Sequence, residues 1–261
     1  MASLYFVPTP IESYQDMTIR GVEVLKSCDE IYIESDISKE LLRYYNIDKP
    51  LYCYKEKKNE ILDKLKKGLV ICIISNEGYS GIDDESHLIL KDAINNNFEV
   101  VVLPGSNYLL TGLVSSGIPC DKFMFCGSAN KDDLNNCIDY DKTLVFFSNN
   151  EDIQKNLNDF EKIFGKRKCV IILNASCANE TFIRFNLSDE ITIPDTNKKI
   201  VIVVEGATIK SEIKMLNNLD VEEHYDYYLK QGLDNKEAMK KVAKDRGVSK
   251  SDIYKVINCK K

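Results

Sequence analysis

The sequence predicts an α/β protein built as two α/β domains followed by a small helical domain. Three observations carry that expectation. Apolar, β-branched runs alternate with amphipathic segments from Leu4 to Val102, the rhythm of βα units in a mostly parallel sheet. Leu69 to Ser75 is apolar almost without interruption, as a strand buried on both faces requires. After Val221, three helix-length segments are punctuated only by Gly232 and Gly247. The expected boundaries are 1–106 and 107–208 for the α/β domains and 218–261 for the helical one.

Leu4 to Val7 is a short strand stopped by Pro8-Thr9-Pro10, where two prolines fix the backbone. Asp16 is the expected cap of a helix from about Met17 to Cys28. Glu30 to Glu34 is a strand, Ile37 to Tyr45 a helix, Leu51 to Tyr54 a strand, and Asn59 to Lys67 an amphipathic helix. The Leu69–Ser75 strand runs into Asn76-Glu77-Gly78-Tyr79-Ser80-Gly81 and the acidic Asp83-Asp84-Glu85, before a helix from Ser86 to Asn96. Val100-Val101-Val102-Leu103 reads as a buried strand, halted by Pro104-Gly105-Ser106. A helix from Tyr108 to Ser116 follows, so backbone N–H groups at this βα turn are free to hold a ligand.

The second half holds strands at Lys122–Phe125, Thr143–Phe147, Lys168–Leu173, Leu187–Thr192 and Lys199–Val204, with a helix from Glu151 to Phe164. These strands are less regularly separated by helices, which predicts a mixed sheet. Residues 128–141 are polar, and Ala207 to Asn217 reads as a linker. The closing helices are expected at Glu222–Gln231, Asn235–Asp245 and Ser249–Ile257, the last two spaced like a helix-turn-helix unit.

The chain has 261 residues, 44% hydrophobic and 29% charged, the proportions of a soluble globular protein. No apolar run approaches the ~18 residues of a membrane span, and the N-terminus has no basic segment or apolar signal core, so a cytoplasmic location is expected. The nine cysteines form no Cys-x-x-Cys pair, and several lie in apolar strands, as reduced core thiols do. The two histidines, His87 and His224, lie far apart in sequence, which excludes a His-rich metal site and disfavours a Ser-His-Asp triad; no metal is expected. A phosphate-binding P-loop and the Gly-x-Gly-x-x-Gly fingerprint are both absent.

Net charge is −6, yet Asp234 to Lys261 carries nine Lys or Arg against four acids. A basic tail on an acidic body suits an anionic partner at that end as well as it suits a solvated helical face. Lys240, Lys241, Lys244 and Lys250 are the candidate phosphate contacts. His224, Tyr225, Tyr227 and Tyr228 form an aromatic group with two readings, domain packing or stacking on RNA bases.

Taken in order, several stretches resemble one family. Ser3 to Ile11 with Asp16-Met17-Thr18-Ile19-Arg20 is similar to the opening of the bacterial small-subunit ribosomal RNA cytidine 2′-O-methyltransferases. These belong to the tetrapyrrole-methylase-like superfamily of S-adenosylmethionine (SAM) enzymes. Leu103-Pro104-Gly105, Ser115-Ser116-Gly117-Ile118-Pro119, Thr143 to Phe147 and Val201 to Gly206 resemble its later segments. Asn235 to Ala238, Val242-Ala243, Val248-Ser249-Lys250 and Tyr254 resemble its helical tail.

The resemblance implies the tetrapyrrole methylase fold with SAM in the cleft between the two α/β domains, held largely by backbone. It implies a homodimer acting on small-subunit ribosomal RNA or the 30S subunit. The implied cofactor residues are Pro10, Ser75, Gly78, Ile82, Pro104, Gly105, Ser106 and Phe147.

The departures fall on the cleft side. The family's Ser-Asp-Ala-Gly-Thr-Pro reads Ser75-Asn76-Glu77-Gly78-Tyr79-Ser80 here, so Glu77 stands at an alanine position. Its Glu-Asp-Thr-Arg reads Glu34-Ser35-Asp36-Ile37. Its Phe-Tyr-Glu-x-x-His-Arg reads Phe146 to Asp152, and its Arg-Glu-Leu-Thr-Lys reads Asn174 to Ala178. Two readings follow: an active methyltransferase, or a relative without the chemistry that binds RNA or the ribosome. Methylation of a small tetrapyrrole is a third, for which the basic tail has no use. Glu34, Glu77, Asp83 and Asp84 are the carboxylates near strand ends that could accept a hydroxyl proton, each with a solvated or capping role as its plain alternative.

Overall fold

The computed structural model describes residues 2–55, 57–129, 131–208 and 211–258. The chain divides into two compact units, one of Met1–Asn130 with Thr143–Glu205 and one of Lys131–Lys142 with Gly206–Lys261.

The first unit holds two five-stranded sheets. The first contains β1 (Ser3–Phe6), β2 (Glu30–Ile33), β3 (Leu51–Cys53), β4 (Val70–Ile74) and β5 (Glu99–Val102), all parallel, in the order β3-β2-β4-β1-β5. Its connecting helices are α1 (Ile19–Ser27), α2 (Ser38–Tyr44), α3 (Lys58–Lys66) and α4 (Ser86–Asn95). Leu4 and Phe6 pack with Ile61 and Leu65 on one face, while Cys72 and Ile74 pack with Leu25 and Leu42 on the other. Burial on both faces explains why β4 is apolar without alternation.

The second sheet contains β6 (Phe123–Ser128), β7 (Thr143–Ser148), β8 (Lys168–Leu173), β9 (Thr181–Asn186) and β10 (Ile200–Val204), in the order β6-β7-β10-β8-β9. Only β6 and β7 pair in parallel; the other pairs are antiparallel, so the sheet is mixed as expected. Two helices belong to it, α5 (Tyr108–Ser116) and α7 (Ile153–Phe164). On one side Phe146, Phe160 and Phe164 stack with ring centroids 4.6–6.3 Å apart. On the other, α5 packs on β10, where Gly112 leaves no room for a side chain: a Cβ there would stand 2.6 Å from Val201 Cγ1 and 2.8 Å from Val201 Cβ. Val201 is β-branched and buried, so it cannot rotate away. Gly112→Ala is therefore expected to destabilise the unit by about 1–3 kcal/mol despite the better helix propensity of alanine, read as a lower urea midpoint at unchanged slope.

The second unit contains α6 (Lys131–Asn136), α8 (Ser211–Asn218), α9 (Val221–Lys230), α10 (Asn235–Arg246) and α11 (Lys250–Asn258). Ala238, Val242, Tyr228 and Ile253 form its core, and Asp220 closes a capping box with Glu223 at the start of α9.

Four sequence expectations are corrected. Val100–Val102 belongs to the edge strand β5, with Val102 50% exposed, because β5 has a neighbour, β1, on one side only; Leu103, just past the strand, is buried. The strand expected at 187–192 lies at Thr181–Asn186; Leu187 is buried directly after it and draws the apolar signal C-terminally. Residues 211–217 of the expected linker belong to α8, and the polar stretch 128–141 contains α6. Thr18, whose hydroxyl accepts the Gly21 N–H, caps α1, while Asp16 ends a preceding 3₁₀ turn (Tyr14–Asp16). Cys259, Lys260 and Lys261, counted in the basic tail, lie outside the described residues.

Candidate functional site

The loops after β1, β4 and β5 meet at the C-terminal edge of the parallel sheet, where ligands of such sheets bind. Thr9 and Gly78 exchange both backbone hydrogen bonds, at 2.9 and 3.0 Å. The buried Ser75 hydroxyl donates to the Gly78 carbonyl at 3.0 Å, and the Thr9 hydroxyl to the Ser75 carbonyl at 3.3 Å. The β1 and β4 loops are thus one tied framework. The β5 loop leans on it, since Gly105 lies so close to Pro8 that a Cβ would stand 2.7 Å from the proline ring.

A cavity of about 10 Å³ lies where this framework faces the second sheet. Its lining includes Glu77, Gly78, Ile82, Tyr108 and Phe147, with Asp83 and Lys199 across it. Asn107 caps α5 by accepting the Leu110 N–H, which fixes the direction in which Tyr108 enters. The Tyr108 ring meets Phe147 edge-on at 6.2 Å, and its hydroxyl donates to the Lys199 carbonyl at 2.6 Å. The Lys199 ammonium sits 4.7 Å from the Phe147 ring centre and 5.9 Å from that of Tyr108, and pairs with Asp83 at 2.5 Å. Beside it Lys198 pairs with Glu12, also at 2.5 Å, and that hydrogen bond holds the Lys198 ammonium above its ordinary pKa. The Tyr79 hydroxyl accepts the Gly105 N–H at 3.0 Å, so it occupies a donor that the βα turn would otherwise present.

Of the residues picked out in the sequence, Gly78, Ile82 and Phe147 line this cavity. Gly105 and Ser75 support it from the loop framework. Pro10 is buried in the β1 loop, Pro104 is exposed, and Ser106 donates from its hydroxyl to the Asp16 carbonyl at 3.3 Å; none of these three lines it. Lys199 was missed. Its signal was Lys198-Lys199 placed directly before an apolar strand, so that the second lysine enters at a strand end.

The candidate carboxylates separate clearly. Glu34 accepts the Asn76 N–H at 3.1 Å, and Asp84 accepts the N–H groups of Gly81 and Ser86 at 2.9 and 2.7 Å, so both hold loops. Asp83 is paired with Lys199. Burial pushes the Glu77 carboxyl above its usual range, and Lys198 and Lys199 offset this only in part. The folded pKa lies above the unfolded value near 4.5, so the stability linked to Glu77 is full below that pH and declines as pH rises through the folded value. Glu77→Gln is accordingly expected to raise the melting temperature at pH 7 and to leave it unchanged at pH 4.

In the second unit the aromatic group is a packing cluster. His224, Tyr225 and Tyr228 are buried, which removes them from stacking on RNA. His87 is exposed, and its Nδ1 lies 2.9 Å from the Asp84 carbonyl at the start of α4. Lys240, Lys241, Lys244 and Lys250 are all exposed, the first three on α10 and the last at the start of α11.

The match to known proteins decides the family. The model of the tetrapyrrole (corrin/porphyrin) methylases matches residues 3–190. The chain belongs to the tetrapyrrole methylase family. Ribosomal RNA small subunit methyltransferase I of Bacillus subtilis is 33% identical over 100% of this chain and 95% of its own. The protein of the same name from Halalkalibacterium halodurans is 31% identical over 97% and 94%. Among solved structures, cobalt precorrin-4 methyltransferase superposes with a TM-score of 0.60 at 13% identity, covering 78% of this chain and 95% of its own. Uroporphyrin-III-C-methyltransferase from Thermus thermophilus gives 0.58 at 12%, covering 78% and 94%. These structures share the family fold of two α/β sheets. Among the described residues no helix is long and apolar enough to cross a membrane.

Proposed function

We propose that this chain is a SAM-dependent methyltransferase acting on the ribose 2′-hydroxyl of a cytidine in small-subunit ribosomal RNA. The observation that carries this reading is the reach of the similarity. The solved tetrapyrrole enzymes cover 78% of the chain, whereas the Bacillus subtilis ribosomal RNA methyltransferase is similar over all of it, basic helical tail included. A tail shared with enzymes named for an RNA substrate, and carrying exposed lysines on α10 and α11, favours RNA over a small tetrapyrrole.

The residues present fit a sulfonium cofactor on one observation: two aromatic rings and a carboxylate already surround an ammonium, that of Lys199. Gly78, Ile82 and Phe147 would line the donor, over the framework of Pro10, Ser75, Pro104, Gly105 and Ser106. SAM supplies a methyl group already activated on sulfur, so the chain's own task is to orient the two reactants and exclude water. The protein acts in the cytoplasm as a homodimer, a reading consistent with exposed apolar side chains at Ile19, Val102, Leu110 and Val114.

Two measurements test the function. Calorimetric titration is expected to show SAM binding, and deletion of the gene is expected to remove one ribose methylation from small-subunit RNA. SAM binding by the purified protein with unchanged RNA methylation in the deletion strain would instead favour a non-catalytic RNA-binding relative.

A further inference from the structure

The cavity beside Gly78 has the chemistry of a cation site, and the protein's own cation fills it. Phe147 and Tyr108 present ring faces to Lys199 Nζ at 4.7 and 5.9 Å, and Asp83 holds the same ammonium at 2.5 Å. Glu77 completes the wall with a half-buried carboxylate. Lysine is an uneconomical filler for an apolar gap: its ammonium is strongly hydrated, and its stem loses rotamer freedom when pinned. The space left, about 10 Å³, is far below the ~300 Å³ or more of a small-molecule pocket. The Lys199 side chain remains 31% exposed, so it can leave toward solvent without unpacking the sheet.

We propose that Glu77, Asp83, Tyr108 and Phe147 form the subsite for the onium centre of the methyl donor, with Lys199 as an intramolecular stand-in that the donor displaces. This rests on the methyltransferase reading above. The cage selects for charge. SAM enters as a sulfonium and can replace the ammonium between rings and carboxylates. After the methyl group has moved, the sulfur is a neutral thioether that satisfies neither carboxylate, and Lys199 returns. The same residues therefore discriminate donor from product and favour product release.

The test is calorimetric titration of the full chain and its Lys199→Met variant with three ligands. These are SAM, the neutral product S-adenosylhomocysteine, and sinefungin, an analogue with an ammonium near the sulfonium position. Removing the competing cation is expected to tighten SAM and sinefungin about tenfold and to change the product less than twofold. Glu77→Gln is expected to weaken SAM several-fold while leaving the product unchanged, and Lys199→Gln replaces Lys199→Met if the latter folds poorly. An equal change for all three ligands, or an unchanged ratio of SAM to product affinity, overturns the subsite while leaving the methyltransferase reading intact. Failure of every variant and of the parent chain to bind any adenosyl ligand overturns both.

Discussion

Replacing Lys240, Lys241, Lys244 and Lys250 together by alanine is expected to weaken binding to small-subunit RNA by about two orders of magnitude at physiological salt. All four side chains are exposed, and α10 is held by Ala238, Val242 and Ala243 on its opposite face, so their loss leaves the helical core in place. Contacts of this kind read phosphate rather than sequence, so the loss is expected to be uniform across RNA sequences. It also has a signature beyond affinity. Each lysine that neutralises a phosphate releases counterions, so the slope of log K against log salt is expected to become shallower by about 3 in the quadruple variant. Fluorescence anisotropy across a salt series reads both quantities. An unchanged slope would place the RNA on another surface, and SAM affinity, which depends on the other unit, is expected to stay the same.

Arg246→Ala is expected to cost the helical unit about 3 kcal/mol or more, because one guanidinium satisfies four acceptors from three directions. Its Nη2 donates to the carbonyls of Leu216 at 3.3 Å, Asp220 at 3.0 Å and Leu219, and its Nε to His224 Nδ1 at 3.1 Å. Those partners belong to the end of α8, the turn after it and the first turn of α9, so the side chain fixes how one helix follows the next. A lysine has one ammonium and cannot span this set, so Arg246→Lys is expected to rescue little. Burial, then the adjacent Arg246 charge, lowers the His224 pKa below 6.5, and Asp245 opposes this in part. With the folded pKa depressed, the stability linked to His224 is full above 6.5 and is lost as pH falls through that value toward the folded pKa. Thermal unfolding between pH 8 and pH 5 is expected to show that decline in the parent chain and a shallower one in Arg246→Ala.

The scaffold was legible where burial is simple. The unbroken apolar run at β4, the Pro-Thr-Pro turn after β1 and the Gly232 and Gly247 breaks each have one physical reading, and each lies where expected. The edges were harder. Val100 to Val102 reads as a buried strand because three valines carry no trace of the missing neighbour, and β9 was displaced because the apolar Leu187 follows it. The helix Ser211–Asn218 was hidden because its sequence, Ser-Glu-Ile-Lys-Met-Leu-Asn-Asn, is short and mostly polar.

The site divides in the same way. The βα turns that hold it are written in Pro, Gly and Ser, which marks the loops of Gly78 and Gly105 in the sequence, while Phe147, on β7, was named through the family resemblance. What fills it could not. Lys199 lies some 116 residues from Asp83, and only the pairing of the two sheets' ends brings its ammonium over Phe147 and Tyr108. Tyr79 and Tyr108 stand near this turn, one taking the Gly105 N–H and the other packed into the cavity wall.

The most direct test of the account is in vitro methylation of 30S particles from a strain lacking the gene, using the purified chain and SAM with a labelled methyl group. Digestion and mass spectrometry of the RNA are expected to place the label on the ribose of a single cytidine, as 2′-O-methylcytidine. Label on a base, on a small tetrapyrrole offered in its place, or on nothing while SAM binds, would contradict it.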